Sequence, residues 1–210
     1  MMSAASALSA VFGVALGASL GICVMIIRNG RRRRWHSVHT LSNGMRYTIR
    51  SARSTDVDQL FKLTRALAEV CNELHELLET PEGMLAALQS GMYEALVLEC
   101  IDNGEVIGMA VFQESYRTWS GNSLYLQDII INEQHRGRGL GTLIFQVLSQ
   151  LALERGCDRL FWETTSDNAK AQTFYSSPTI GAKHVEELLT YKLVGRERLA
   201  RLAGRQHACK

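Results

Sequence analysis

Eight residues of this 210-residue chain, Gln134-His135-Arg136-Gly137-Arg138-Gly139-Leu140-Gly141, have the make-up of an anion-binding turn. The apolar run Tyr125 to Ile131 before them reads as a buried strand. After them Leu140, Leu143, Ile144, Val147, Leu148 and Leu151 recur at helical spacing. The octet is therefore a strand-to-helix turn. Glycines at alternate positions let several N–H groups converge on one point. The unpaired amides and dipole of the following helix favour negative charge there, as do Arg136 and Arg138. A pyrophosphate is the ligand this arrangement suits. A Walker A loop is excluded because no Lys-Ser/Thr pair follows the last glycine, and a G-x-G-x-x-G dinucleotide turn because position 142 is threonine. His135 reads as an exposed loop residue, and Cys100 and Cys157 have no histidine in a nucleophile-base pattern.

The remaining pattern, Q/R-x-x-G-x-G/A, is met by Gln134, Gly137 and Gly139. It resembles the acetyl-CoA-binding segment of the GNAT superfamily of N-acetyltransferases. A second segment, Asn168-Ala-Lys-Ala-Gln-Thr-Phe-Tyr175, is similar to the N-x-x-x-x-x-F/L-Y stretch of that superfamily. A third, Tyr116-Arg-Thr-Trp119-Ser-Gly121-Asn-Ser-Leu-Tyr125-Leu-Gln-Asp128, resembles the Y-x-x-W-x-G-x-x-x-Y-L-E-D run of the diamine acetyltransferase family, which acetylates spermidine, spermine or thialysine. The similarity extends over about residues 47–202. This chain departs from that family at Gln127, which replaces a glutamate, at Asp167, which replaces a tryptophan, and by two extra residues between Tyr175 and Gly181.

The resemblance implies an acetyl-CoA-dependent N-acetyltransferase that needs no metal. Acetyl would pass to a primary amine of a small diamine, polyamine or lysine-like compound by direct attack in a ternary complex. It places the cofactor on the backbone of Ile129, Ile130 and Ile131 and on Gln134, Arg136, Gly137, Arg138, Gly139, Leu140, Gly141 and Asn168. The amine falls to Trp119, Tyr125, Gln127 and Asp128, with Glu114, Glu73 or Glu76 as further carboxylates. Tyr175 would be the acid that protonates the departing thiolate, since a phenol can give up a proton without carrying charge at rest. Homodimers are the usual state of such proteins, with residues 196–202 as an exchanged arm or a basic tail. Two other readings stand beside this one: acetylation of a protein or peptide amine at a membrane surface, and a membrane-tethered CoA-binding protein without catalysis.

The elements that must position these residues follow from periodicity and punctuation. A strand is expected over 46–51, then a helix capped by Thr55 or Asp56 with Leu60, Leu63, Leu67 and Val70 inward. Thr80-Pro81-Glu82 opens a second helix. Strands over 94–101 and 106–115 meet at Asp102-Asn103-Gly104, and a third covers 124–131. The helix after the glycine turn runs to Arg155 and stops at Gly156. A strand over 159–164, a short helix over 169–175 and strands over 183–187 and 189–194 complete the order. This is the α/β GNAT fold, a mixed and largely antiparallel sheet flanked by helices.

The amino-terminal part is different. No charged residue occurs from Ala4 to Ile27, and Arg28 and Arg31 to Arg34 follow at once. That length crosses a bilayer core as a helix, and the positive charge behind it keeps the rest of the chain in the cytoplasm. Gly13, Gly17 and Gly21 form a small-residue stripe or are ordinary composition of a weakly apolar span. The expected organisation is an N-terminal transmembrane anchor over 1–30, a basic linker over 31–44, an acetyltransferase domain over 45–203 and a tail over 204–210. A net charge of +2 gives no global reason for nucleic acid binding, and five scattered cysteines without C-x-x-C spacing read as free thiols.

Overall fold

The computed structural model describes residues 23–24, 27–29, 32–186, 188 and 190–204. Its strands are β1 (Cys23–Val24), β2 (Ile27–Asn29), β3 (Arg32–Arg34), β4 (His36–Thr40), β5 (Arg46–Ser51), β6 (Glu94–Cys100), β7 (Glu105–Arg117), β8 (Gly121–Ile131) and β9 (Leu160–Trp162). Its helices are α1 (Val57–Val70), α2 (Pro81–Ser90), α3 (Leu140–Glu154), α4 (Ala169–Tyr175) and α5 (Arg196–Leu202). The chain divides into two compact units at Thr165/Ser166.

In the first unit a seven-stranded sheet has the order β1-β4-β5-β6-β7-β8-β9, and β2 pairs with β3 separately. Its pairings are antiparallel except β8 with β9. The parallel pair needs a long crossover, and α3 supplies it. Strand alternation sorts the core onto two faces. On one, Ala95, Val97, Met109, Val111 and Ile130 meet Val57, Leu60 and Leu63 of α1 and Met84 of α2. On the other, Trp162 meets Phe145 of α3, with ring centroids 4.9 Å apart.

Local chemistry accounts for the helix ends. The Thr80 hydroxyl accepts the Gly83 N–H at 3.1 Å, Pro81 occupies the first turn, and Gly91 ends α2 at φ +74°. Asp56 binds Arg50 at 2.8 and 3.0 Å and accepts the Arg53 N–H at 2.6 Å. Burial alone would raise its carboxyl, but these partners hold it below the usual carboxylate range. Val70, expected inward, is exposed because α1 ends there.

Two expectations are corrected. Residues 36–40 belong to no linker: they form β4, paired along β5 from His36↔Arg50 to Thr40↔Arg46. The polar side chains of this stretch are buried because they satisfy one another. Trp35 Nε1 donates to Ser37 Oγ at 3.1 Å, and that oxygen lies 2.8 Å from His39 Nε2. The strands expected over 183–187 and 189–194 are not formed; residues 183–186, 188 and 190–194 are irregular. Alternation says which side chains would share a face, but a strand also needs an edge to pair with, and here none is used. The span expected over Ala4 to Ile27 lies outside the described residues except Cys23, Val24 and Ile27, which are extended. No helix among the described residues is long and apolar enough to cross a membrane. The expected tail lies outside them apart from Gly204.

Candidate active site

The glycine turn sits where β8 hands over to α3. After Ile131, Asn132 N–H closes onto Ile107 O at 2.8 Å, and Glu133–His135 make one 3-10 turn. Gly137 and Gly139 take φ values of +73° and +80°, in the left-handed region that favours glycine, and a Cβ on either would meet nothing within 4 Å. Space and backbone are thus both open on the outer side of the turn. The first helical bond of α3 is Leu143 N–H to Gly139 O at 3.1 Å, and no side chain caps the helix. The amides of Leu140, Gly141 and Thr142 therefore have no helical acceptor, which suits an anion. The Leu140 side chain is buried, so its main chain is what faces the turn.

The two arginines brace this loop. Arg136 Nε donates to Ile131 O at 2.7 Å, and Arg138 Nη2 donates to Gln134 O at 2.9 Å. Arg138 Nη1 reaches the Tyr47 hydroxyl at 3.2 Å, and the same hydroxyl lies 3.3 Å from His135 Nδ1. His135 is accordingly half-buried against Tyr47 rather than an exposed loop residue. The Gln134 side chain is exposed. Tyr47 is a residue that the sequence did not single out, because nothing local tells that a β5 phenol ends under a turn some ninety residues away.

Strand β8 opens just before the turn. It pairs with β7 as far as Gly108↔Ile131 but with β9 only at Leu124↔Leu160, Tyr125↔Phe161 and Leu126↔Trp162. Among the described residues no strand lies beside the edge of β8 turned from β7 between Gln127 and Ile131. Main-chain groups there can hold the amide arm of a ligand and polarise a carbonyl. Ile130 points into the α1/α2 core, while Ile129 and Ile131 are half-buried.

A β-bulge sets the side chains around this opening. Val111 stands opposite Asp128 and Phe112 opposite Leu126, so Gln127 is the extra residue and is exposed. In a regular strand residues three apart point to opposite faces. The bulge restores the phase, so Tyr125 (opposite Gln113) and Asp128 (opposite Val111) share the α1/α2 face. The Tyr125 ring lies 4.8 Å from that of Phe161. Burial pushes the Asp128 carboxyl up. Burial also raises the Tyr125 phenol, helped by the negative charges of Glu163 and Asp128.

Other expected partners are elsewhere. Glu114 faces the α3 side, bound to Arg155 at 3.0 Å together with Glu94. Trp119 is fully exposed at the tip of the β7–β8 hairpin, with Tyr116, Arg117 and Arg159 around one shallow depression. Six strand residues, about 20 Å, lie between Gly121 and Asp128. Glu73 and Glu76 are exposed around a 3-10 turn after α1. Glu163, which the sequence analysis did not name, is drawn to Tyr125 by the β9 register; the alternation of Phe161 and Glu163 was its only sequence signal. Among the described residues no group of three His, Cys, Asp or Glu could hold a metal ion.

The second unit carries the remaining two. Asn168 caps α4, its Oδ1 accepting the Ala171 N–H at 3.1 Å. Tyr175 is half-buried at the last position of that helix, its ring 5.5 Å from that of Phe174.

The chain is 32% identical over 168 residues to thialysine N-epsilon-acetyltransferase of Mus musculus, covering 75% of this chain and 97% of that protein. It is 26% identical over 148 residues to spermidine/spermine N(1)-acetyltransferase-like protein 1 of Homo sapiens, covering 64% of this chain and 21% of that one. Solved structures share the fold. An integron cassette protein of V. cholerae matches with a TM-score of 0.58 at 22% identity, covering 75% of this chain and 97% of its own. An aminoglycoside acetyltransferase from an uncultured soil metagenomic sample matches with a TM-score of 0.60 at 17% identity, covering 70% and 97%. Residues 61–177 match the acetyltransferase (GNAT) family, a span that takes in the glycine turn, the open edge of β8 and Tyr175. The chain belongs to the GNAT family and is an N-acetyltransferase.

Proposed function

We propose that this enzyme transfers acetyl from acetyl-CoA to a primary amine of a small diamine, polyamine or lysine-like compound. The observation that carries the reading is the order of features along β8. An acid and aromatic face at Tyr125 and Asp128 is followed by an open strand edge and then by an anion-binding turn. Amine, acyl group and pyrophosphate have the same linear order in the reaction.

In this reading the outward amides of Leu140, Gly141 and Thr142 and the turn at Gly137 and Gly139 receive the pyrophosphate. The arginines hold the loop in shape and add charge. The open edge at Ile129 to Ile131 binds the pantetheine amides and polarises the thioester carbonyl, and Asn168 adds a polar contact to that arm. The amine nitrogen attacks the carbonyl carbon, so a C–N bond forms as the C–S bond breaks. The nitrogen releases one proton to solvent, and the thiolate takes one from the Tyr175 phenol, which is then reprotonated.

Tyr175→Phe tests the assignment. It is expected to bind acetyl-CoA as before and to lose about a hundredfold in kcat; unchanged turnover removes Tyr175 from the mechanism. Competition by short diamines separates this reading from acetylation of a peptide amine, which they would not inhibit. The uncharged stretch from Ala4 to Ile27 and its arginine flank support a single-pass anchor with the catalytic domain on the cytoplasmic side. Release of the full chain from membranes by alkaline carbonate would refute that anchor.

A further inference from the structure

We propose that Glu163 makes the enzyme prefer amines that carry a second positive charge, acting with Asp128 across the Tyr125 ring. The inference rests on the β8–β9 opening being the amine site. The first observation is register. Tyr125↔Phe161 and Leu126↔Trp162 are the last rungs of the parallel ladder, and Glu163 follows directly at the point where β9 ends. Gln127 is the bulged, neutral residue that follows the last rung on β8, so the carboxylate at the mouth of the opening comes from the segment just after β9.

The second observation is pairing. Glu94 and Glu114 are held by Arg155, and Glu99 and Asp56 by Arg50. Among the described residues neither Asp128 nor Glu163 has a basic partner within ion-pair distance. Two negative groups thus share one side of the sheet with no cation between them. Burial disfavours the charge on Asp128, whereas Glu163 is exposed and stays hydrated until a ligand arrives. Both charges act on the Tyr125 phenol, Glu163 the more strongly.

The third observation is an unsatisfied group on the same face. Ser123, two residues before Tyr125, is fully buried, and its hydroxyl has no hydrogen-bond partner. Arg117 covers the Phe161 ring, its guanidinium carbon 4.4 Å from the centroid. That end of the face therefore already holds a cation, which repels a second. A dication is left with the end formed by Tyr125, Asp128 and Glu163, one nitrogen at the open edge of β8 and the other between the carboxylates.

Initial rates with 1,3-diaminopropane and with propylamine test this, using the full-length wild type, Glu163→Gln, Glu163→Asp and, as a charge-matched control on the exposed side of α2, Glu82→Gln. Glu163→Gln is expected to raise KM for the diamine about tenfold, as for loss of one partly screened charge contact. The KM for propylamine, the KM for acetyl-CoA and kcat stay within twofold, Glu163→Asp retains part of the preference, and Glu82→Gln retains all of it. An unchanged diamine KM in Glu163→Gln overturns the proposal, as does a fall in kcat shared by both amines. A wild type that acetylates neither amine while consuming acetyl-CoA on a peptide overturns the amine-site reading as well.

Discussion

Replacing Gly139 by alanine separates what the glycine turn does for folding from what it does for the cofactor. Gly139 has φ +80° and open space where a Cβ would go, so the substitution adds backbone strain without a clash. An L-residue in this region costs about 1–2 kcal/mol, partly offset by a smaller loss of unfolded-state entropy, for a net of about 1 kcal/mol. Gly44, between β4 and β5, has φ +81° and is equally open, which makes Gly44→Ala the matched control. Both variants should lose about the same stability in urea denaturation. A domain with the usual 5–15 kcal/mol remains almost wholly folded after such a loss, so unfolding cannot alter its kinetics. At Gly139, however, the new methyl stands on the open side of the turn that is proposed to receive the pyrophosphate. A hydrogen bond to a charged group contributes about 1.5–3 kcal/mol, and about 1.4 kcal/mol is a factor of ten. The KM for acetyl-CoA should therefore rise roughly 10- to 100-fold in Gly139→Ala and not at all in Gly44→Ala. The reasoning is refuted if both variants show equal stability loss and wild-type KM, or if Gly44→Ala raises KM equally.

Tyr47→Phe removes the hydroxyl shared by Arg138 and His135 and leaves the buried ring. Loss of one such brace should raise the acetyl-CoA KM about threefold to tenfold with kcat unchanged, which steady-state rates at saturating amine will show. Burial holds the His39 imidazole below its ordinary value of 6.5, so the unfolded chain accepts a proton that the folded one refuses. The corresponding stability is complete above about pH 6.5 and is lost as pH falls towards the folded value. Urea midpoints at pH 7.5 and 5.5 should differ more in wild type than in His39→Gln, and equal differences would exclude His39 as the source.

Most short-range features could be read in the sequence because their causes lie within a few residues. The Thr80 cap and the stop at Gly156 each depend on one side chain or one φ value. The turn from Gln134 to Gly141 was legible for the same reason. It needs only glycines at the right spacing and an apolar helix behind them. Trp35 to Thr40 was read as a linker because its buried face is polar, and hydropathy does not register that Trp35, Ser37 and His39 satisfy one another. The alternation over 183–194 specified a strand's side-chain faces but could not supply the edge that a strand requires.

Which side chains share the face of Tyr125 was the part that the tertiary structure decided. The resemblance assigned Trp119, Tyr125, Gln127 and Asp128 to the amine, with Glu114, Glu73 or Glu76 as further carboxylates. Strand pairing sent Glu114 to the α3 face and Trp119 to the hairpin tip, and it pushed Gln127 out as the bulge. The same bulge turned Asp128 onto the side of Tyr125, and the parallel pairing of β9 left Glu163, just beyond its end, to act on the Tyr125 phenol. The sequence by itself determined the anion-binding turn, since a turn and a helix terminus are set by consecutive residues. Which carboxylates face an incoming amine depends on register, and register is fixed only when distant strands pair.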